Sequence, residues 1–351
     1  MKKYYALYEK IKNLILSGEY KAGQKLPSKR VMADMSGCSQ ITVMNAYGIL
    51  EAEGYITAVE KRGYFVDDIN AHYYAPTKPT LIERLSEQEC NVKDDFEHSL
   101  WFKTVRKVIT ERGNQLFVKC NAEGCSALRN SIADYLLRYR GMVASPDRII
   151  IGSGSEQLYE TVVKILGRDK IFGIEDPSYK QIEKVYNEEG VTVKKLKMGG
   201  DGIKSDYLNA SDFNVLHVTP FTSYPSGVTA SIKKRYEYLS WANRTGGYIV
   251  EDDFSSEFFK PGNPIQSLYS LSDNERVIYI NTFSKSISPS IRIGYMILPT
   301  SLISIYKERV GGFSCSVPVL DQYVLAEFIS SGSFERHLNR VRRKMNKELK
   351  N

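Results

Sequence analysis

The sequence predicts an α/β protein in two parts: a small helical head that carries a β-hairpin, and a larger three-layer domain on a mainly parallel sheet. Three observations predict it. In residues 1–66 apolar residues at helical spacing give way to two short strand-like runs; a polar stretch with two prolines follows; beyond it short apolar runs alternate with amphipathic segments. The 351 residues suffice for two domains, and 42% hydrophobic with 25% charged residues is the composition of a globular chain with an ordinary core. No window approaches eighteen uninterrupted apolar residues, and Glu9, Lys10 and Lys12 break the first apolar segment, so neither a membrane span nor a signal peptide is expected and the protein is read as cytoplasmic.

The head is built in order. Tyr4, Leu7, Tyr8, Ile11, Leu14 and Ile15 recur at three and four, the stripe of an amphipathic helix, and Gly18 closes it. A short helix from about Ser28 to Met35 has Ser28 as its N-cap behind Pro27 and turns at Gly37. A third, SQITVMNAYGILEAEG, starts at the cap Ser39, turns Ile41 or Val43 inward with Ala46, Tyr47 and Leu50, and ends at Gly54. The runs YITAV and GYFV follow, joined by Glu60, Lys61 and Arg62. Three helices and a basic-tipped hairpin describe a winged helix-turn-helix. The third helix fits a major groove, with Gln40 and Thr42 toward base edges, and Lys61 and Arg62 reach phosphates from the wing. The plain alternative is a small helical interaction domain with a solvated basic face.

The run LPSKRVMADMSGCSQITVMNAYGILEAEGYI with the wing KRGYFV resembles the GntR family of bacterial winged-helix regulators over nearly all of residues 4–66. That resemblance implies binding to a double-stranded DNA operator and puts Arg30, Ser39, Thr42, Tyr47 and Gly63 on contact positions. Gln40 stands where the family usually has arginine, which implies a shift from guanine toward adenine. Charge agrees with a polyanion partner: residues 1–66 hold ten Lys/Arg and six Asp/Glu, +4, and residues 334–351 seven and two, +5, leaving the middle at 7 − 4 − 5 = −2.

Residues 67–95 read as a linker. From 96 to 351, RIIIGSG, KIFGIEDP, NVLHVTP, GYIVEDDF, RVIYINTFSK and IRIGYMILP read as strands, with SEQLYETVVKILG and SIKKRYEYLSWANRTG as helices. Ligands in such sheets gather at the carboxyl ends of strands, and unusual residues lie there. IIIGSGSEQLYE places Ser153, Gly154 and Ser155 at the start of a helix, suited to a phosphate. GYIVEDDF ends on Asp252 and Asp253. NTFSKSISPSIRIGY, residues 281–295, ends its strand on Thr282, Ser284 and Lys285 and returns with Arg292. Taken singly these are a common turn, a loop acid pair and a surface lysine. Together they require one ligand with a phosphate, a basic ring nitrogen and a carbonyl, which describes pyridoxal 5'-phosphate. Lys285 would form its Schiff base, Asp252 would hold the ring nitrogen, and Gly154, Ser155, Thr282, Ser284 and Arg292 the phosphate.

That order of motifs is similar to the fold-type-I aminotransferases, and behind a GntR head the whole chain resembles the MocR/GabR subfamily of transcription regulators, from residue 4 to about 343. The resemblance implies a homodimer, an amino acid or amine effector, and an aromatic ring, Tyr179 of EDPSY, beside the cofactor. Three departures stand out. Phe254 replaces the tyrosine of the usual EDDY; TPFTSYPSG, with Thr222 and Ser223, replaces TPSHQFPTG; and the C-terminal small domain with its carboxylate-binding arginine is absent from these residues, which leaves the apolar face around Leu325, Phe328 and Leu338 to be covered. The regulator reading leads. An active aminotransferase with an accessory DNA-binding head is the alternative, and a regulator with an inert site used only for dimerisation is a third. Five cysteines at irregular spacing suggest neither a disulfide framework nor a zinc site; Cys120 and Cys125 are read as buried free thiols before a redox pair.

Overall fold

The computed structural model describes residues 3–68, 96, 98–210, 212–258, 266–273 and 275–348, with side chains to Lys344. The chain divides into two compact units, 1–91 and 92–351; the expected linker falls almost wholly outside the described residues.

The head packs α1 (Lys3–Leu16), α2 (Lys29–Ser36) and α3 (Gln40–Ala52) beside the hairpin β1 (Ile56–Val59) and β2 (Gly63–Val66). Leu7, Tyr8, Ile11 and Ile15 meet Val43, Ala46, Tyr47 and Leu50 in one core. Of the two inward candidates on α3, Val43 is buried and Ile41 is 68% exposed, because Val43 shares a face with Ala46, Tyr47 and Leu50 at helical spacing. Both helix starts are capped as expected: Ser28 accepts from the Val31 N–H and Ser39 from the Thr42 N–H at 3.2 Å. Gly37 ends α2 in the left-handed region at φ 62°, where a side chain would be strained. At the wing tip Lys61 also has positive φ, 60°.

The second unit runs α4 (His98–Arg112), α5 (Ser126–Tyr135) continued by a π turn through Arg140, β3 (Ile149–Gly152), α6 (Gly154–Leu166), β4 (Ile171–Asp176), α7 (Lys180–Glu188), β5 (Thr192–Gly199), β6 (Gly202–Ile203), α8 (Ser205–Ala210), β7 (Val215–Val218), α9 (Ile232–Thr245), β8 (Tyr248–Asp252), α10 (Leu268–Leu271), β9 (Val277–Thr282), α11 (Phe283–Ser286), β10 (Gly294–Ile297), α12 (Thr300–Arg309), α13 (Val319–Ser330) and α14 (Ser333–Glu348). The sheet has the order β3-β10-β9-β8-β7-β4-β5-β6. Strands β5, β4, β7, β8 and β9 are mutually parallel, and β10 is antiparallel to both neighbours. Alternate residues feed separate cores. Ile150, Ile278, Ile280 and Met296 pack with α6 and α12, while Ile151, Tyr279, Tyr295 and Ile297 pack with α5 and α13. This is the expected three-layer arrangement. Strand β5 lacks a sequence signal because lysines dilute its alternation, which suits a strand covered on its outer side only by two-residue β6.

The expectation of an uncovered C-terminal face is corrected. Leu325, Phe328 and Leu338 are at most 2% exposed, packed with Phe96, Leu128 and Phe334. Helix α13 lies against α4 and α5, so elements far upstream supply the cover.

Candidate cofactor site and nucleic-acid face

Strand pairing sets out the candidate site. Gly294 of β10 lies opposite Thr282 on one side and Gly152 on the other, so the ends of β3 and β9 flank one glycine. A Cβ at Gly294 would meet the Asn281 carbonyl at 3.0 Å and the Gly154 carbonyl carbon at 3.4 Å, so only glycine lets these backbones close up. Gly154 opens α6 at φ 82°, and a Cβ there would lie 3.3 Å from the Arg292 guanidinium. The helix start is therefore left open and faced by a cation. Arg292 donates to Glu156 at 2.9 Å, while the Ser153 N–H is taken by Gln157 at 2.7 Å. Ser155 is half-buried on the first turn. The Thr282 hydroxyl lies 3.2 Å from the Ser284 hydroxyl and donates to the Ile293 carbonyl, and Ser284 bonds the Ile291 carbonyl at 3.0 Å. Gly154 thus lies beside Arg292, and Thr282 beside Ser284, on either side of Gly294.

Lys285 sits on the short helix α11. Although the residue keeps an open side, its Nζ lies 4.6 Å from the Phe254 ring centre and 5.8 Å from that of Phe258. Loss of hydration there pulls its ammonium below the usual lysine value, and the Glu257 charge opposes this. Phe254, the departure from tyrosine, offers the lysine a ring face and no hydroxyl.

Asp252 closes β8 and is 4% exposed. Its Oδ2 accepts from the Tyr159 hydroxyl and lies 3.7 Å from His217 Nε2. Its Oδ1 is buried with no hydrogen-bond partner among the described residues. A buried carboxylate oxygen without a donor is costly, so this atom marks a place for one. Asp253 turns to the other side of the sheet, where Arg140 donates at 2.9 Å, Tyr279 at 2.7 Å and the Ser256 N–H at 3.0 Å. Nearby Glu257 is pushed up to about 7 by burial and then by Asp253, against Arg140 and its hydrogen bonds. Glu251 is also raised to about 7, by the same two causes in the same order, against the Tyr269 and Leu268 N–H groups and Arg235.

Tyr179 precedes α7 and is 41% exposed, its ring 6.3 Å from Tyr224. Ser223, of the altered TPFTSYPSG, is buried and donates to Glu175 at 2.6 Å, which also takes the Thr219 N–H and hydroxyl. That serine therefore ties the β7 loop to β4.

On the head, Arg30, Ser39, Gln40, Lys61 and Arg62 are exposed, and Thr42 and Gly63 are half-exposed. Ser39 and Thr42 hydroxyls bond each other at 2.9 Å across the first turn of α3. Tyr47 corrects its expected role as a contact: it is fully buried, with its hydroxyl on the Pro27 carbonyl at 2.8 Å. A phenol ring at an inward position of α3 fastens α3 to the chain before α2 and leaves no atom for a groove.

Residues 3–66 match the family described as bacterial regulatory proteins, gntR family, and residues 91–351 match aminotransferase class I and II. The chain is 33% identical over 351 residues to the uncharacterized HTH-type transcriptional regulator YdeL of Bacillus subtilis, covering 97% of this chain and 76% of that one. The chain belongs to the MocR/GabR subfamily of GntR-type transcription regulators.

Other relatives of this MocR-type chain include the probable rhizopine catabolism regulatory protein MocR of Rhizobium meliloti, 29% identical over 96% of this chain and 73% of that one. PdxR of Corynebacterium glutamicum, a pyridoxine biosynthesis transcriptional regulator, is 27% identical over 96% and 75%. Among solved structures, the kynurenine aminotransferase of Pyrococcus horikoshii shares the fold at TM-score 0.65 and 24% identity, covering 71% of this chain. The chain spans 64% of that enzyme's length. Against this MocR-type frame, sequence reasoning missed Tyr159, His217, Arg140 and Glu257. The first was detectable as an inward residue one turn into α6, and the second as a histidine inside an otherwise apolar strand. Arg140 and Glu257 meet Asp253 only through the fold.

Proposed function

We propose that this chain is a transcription regulator that binds a double-stranded DNA operator through its winged head, takes pyridoxal 5'-phosphate in its aminotransferase-like domain, and senses an amino acid or amine there. One observation carries the reading: the buried, donor-less Oδ1 of Asp252, set among the strand ends that also present Lys285 and the open helix start at Gly154. The residues fit the group. Asp252 would take the protonated ring nitrogen, Gly154, Ser155, Thr282, Ser284 and Arg292 the phosphate, and Lys285 the carbonyl carbon. When bound, pyridoxal 5'-phosphate supplies a carbonyl that condenses with amines and a ring that withdraws electrons. The chain's own part is to hold and charge it. Lys285, with its ammonium disfavoured by poor hydration, supplies a free amine more readily than a surface lysine. Arg292 would exchange Glu156 for the phosphate, a bidentate partner of higher charge. Asp252, through its open Oδ1, would keep the ring nitrogen protonated.

The relative named for pyridoxine biosynthesis supports a vitamer as one of the ligands. A cytoplasmic homodimer would present two winged helices to two half-sites, so a ligand that alters the dimer alters their spacing. The test is a titration of the full chain with pyridoxal 5'-phosphate. We expect a visible absorbance band, and its loss in Lys285→Ala; a colourless unaltered protein overturns the cofactor reading. The lysine, the acid and the residues suited to a phosphate together also favour a second reading, an active aminotransferase. Steady turnover of an amino acid with an oxo-acid acceptor would establish that reading, and a single stoichiometric change would reject it.

A further inference from the structure

We propose that His217 is a positioning residue for Asp252: its Nε2–H faces Oδ2 as a second donor within reach, keeping the carboxylate turned so that Oδ1 faces the ligand. This rests on the cofactor reading above. His217 lies within β7, one residue before its end, at 1% exposure. Its Nδ1 lies 2.7 Å from the Tyr186 hydroxyl on α7, and its Nε2 lies 3.7 Å from Asp252 Oδ2 with no hydrogen-bond partner. The rings of Tyr159 and Tyr186 enclose it at 5.1 and 5.6 Å between centres.

The tautomer follows from these neighbours. Burial, and then the Asp252 charge, hold the Tyr186 hydroxyl well above the usual tyrosine value, so it keeps its proton and can donate it to Nδ1. Nε2 then carries the imidazole hydrogen and faces the Asp252 carboxylate, while the ring also feels the buried Glu175 carboxylate. The opposite tautomer would set a nitrogen lone pair against carboxylate lone pairs in a buried site, which is repulsive. Tyr159 on α6 already donates to the same oxygen, His217 on β7 faces it from the other side, and Oδ1 is left clear. The contact at 3.7 Å is longer than a formed hydrogen bond. A small rotation of Asp252 toward a cationic ring would bring it within range, so His217 acts on the carboxylate and does not touch the ligand.

Two measurements test this. In the protein without added ligand, ¹⁵N–¹H correlation spectra of the imidazoles, with His217 assigned by its disappearance in His217→Phe, should show the hydrogen on Nε2. A hydrogen on Nδ1 overturns the proposal. In the titration, His217→Phe and the double variant with Tyr186→Phe should bind pyridoxal 5'-phosphate on the order of 10-fold more weakly, as loss of supporting groups commonly does. His217→Gln, whose amide can occupy the Nε2 position, should recover most of that loss. Unchanged affinity in a folded His217→Phe, or equal loss in phenylalanine and glutamine variants, would refute the donor role. The double variant removes the stranded Tyr186 hydroxyl and so separates a folding defect from a lost donor. If the unaltered protein takes no pyridoxal 5'-phosphate, the cofactor reading falls, and the tautomer alone decides whether His217 serves Asp252.

Discussion

Asp252 and Asp253 follow one another at the end of a single strand, yet their surroundings divide them. Asp253 has both oxygens engaged, by Arg140, Tyr279 and the Ser256 N–H. Asp252 has one oxygen taken by the Tyr159 hydroxyl and the other bare among the described residues. Strand geometry sends the two side chains to opposite faces, and the faces have different duties: one acid is satisfied within the chain, the other is completed from outside. What a buried carboxylate does can be read from what its second oxygen lacks.

The largest effect should come from breaking the satisfied side. Asp253→Asn takes from the half-buried Arg140 its hydrogen-bonded carboxylate and leaves it only the more distant Glu257, and we expect a loss of about 3–5 kcal/mol in urea unfolding of the second unit. Asp252→Asn should leave the unfolding midpoint nearly unchanged while weakening pyridoxal 5'-phosphate binding at least 10-fold, since the amide cannot hold a protonated ring nitrogen. If the two substitutions exchanged these effects, the division of duties would be wrong.

A second experiment sharpens the same contrast through pH. Glu257 titrates at about 7 in the folded protein against an ordinary 4.5, so between those values the folded state keeps a proton that the unfolded state has released. Its contribution to stability is therefore highest below about 4.5, falls as pH rises to about 7, and is level above. The drop is on the order of 3 kcal/mol at most. Glu257→Gln cannot ionise, so the difference in unfolding midpoint between variant and unaltered protein should grow from pH 5 to pH 7.5 in favour of the variant. A constant difference would show that Glu257 is ionised throughout.

Much of this was legible in the sequence, for identifiable reasons. Strand ends are marked by apolar runs that stop at polar residues, so Asp252, Thr282 and Lys285 could be placed at one edge of a sheet before any pairing was known. Ser28 and Ser39 were legible as caps because capping is local. The partners of Asp253 were not: Arg140 and Asp253 lie 113 residues apart, and nothing in either segment specifies that they meet. Tyr47 was misread for the complementary reason. A motif position gives the residue's place on a helix, and only packing decides whether its ring faces a groove or the core. The cover over Leu325 and Phe328 comes from α4 and α5, again a long-range fact.

The head repeats the contrast at smaller scale, and the smallest effects belong there. Tyr47→Phe removes one buried hydrogen bond and should cost the head about 1 kcal/mol, read by thermal unfolding, with operator affinity lowered only through that loss. Arg30, exposed on α2, should behave in the opposite way. Arg30→Ala leaves stability unchanged and reduces the slope of log affinity against log salt by about 1, as one released counterion predicts. Gln40, at the exposed start of α3, adds the last distinction. A phosphate contact weakens all sequences alike, whereas a base contact changes their order. Gln40→Arg should shift preference from adenine toward guanine at one operator position, by about 1–3 kcal/mol of discrimination in competition binding. A uniform rise in affinity for every sequence would mean that the added charge meets only the backbone. Gln40 would then belong with Arg30 among residues that position the head, and base reading would have to come from another exposed side chain on that turn.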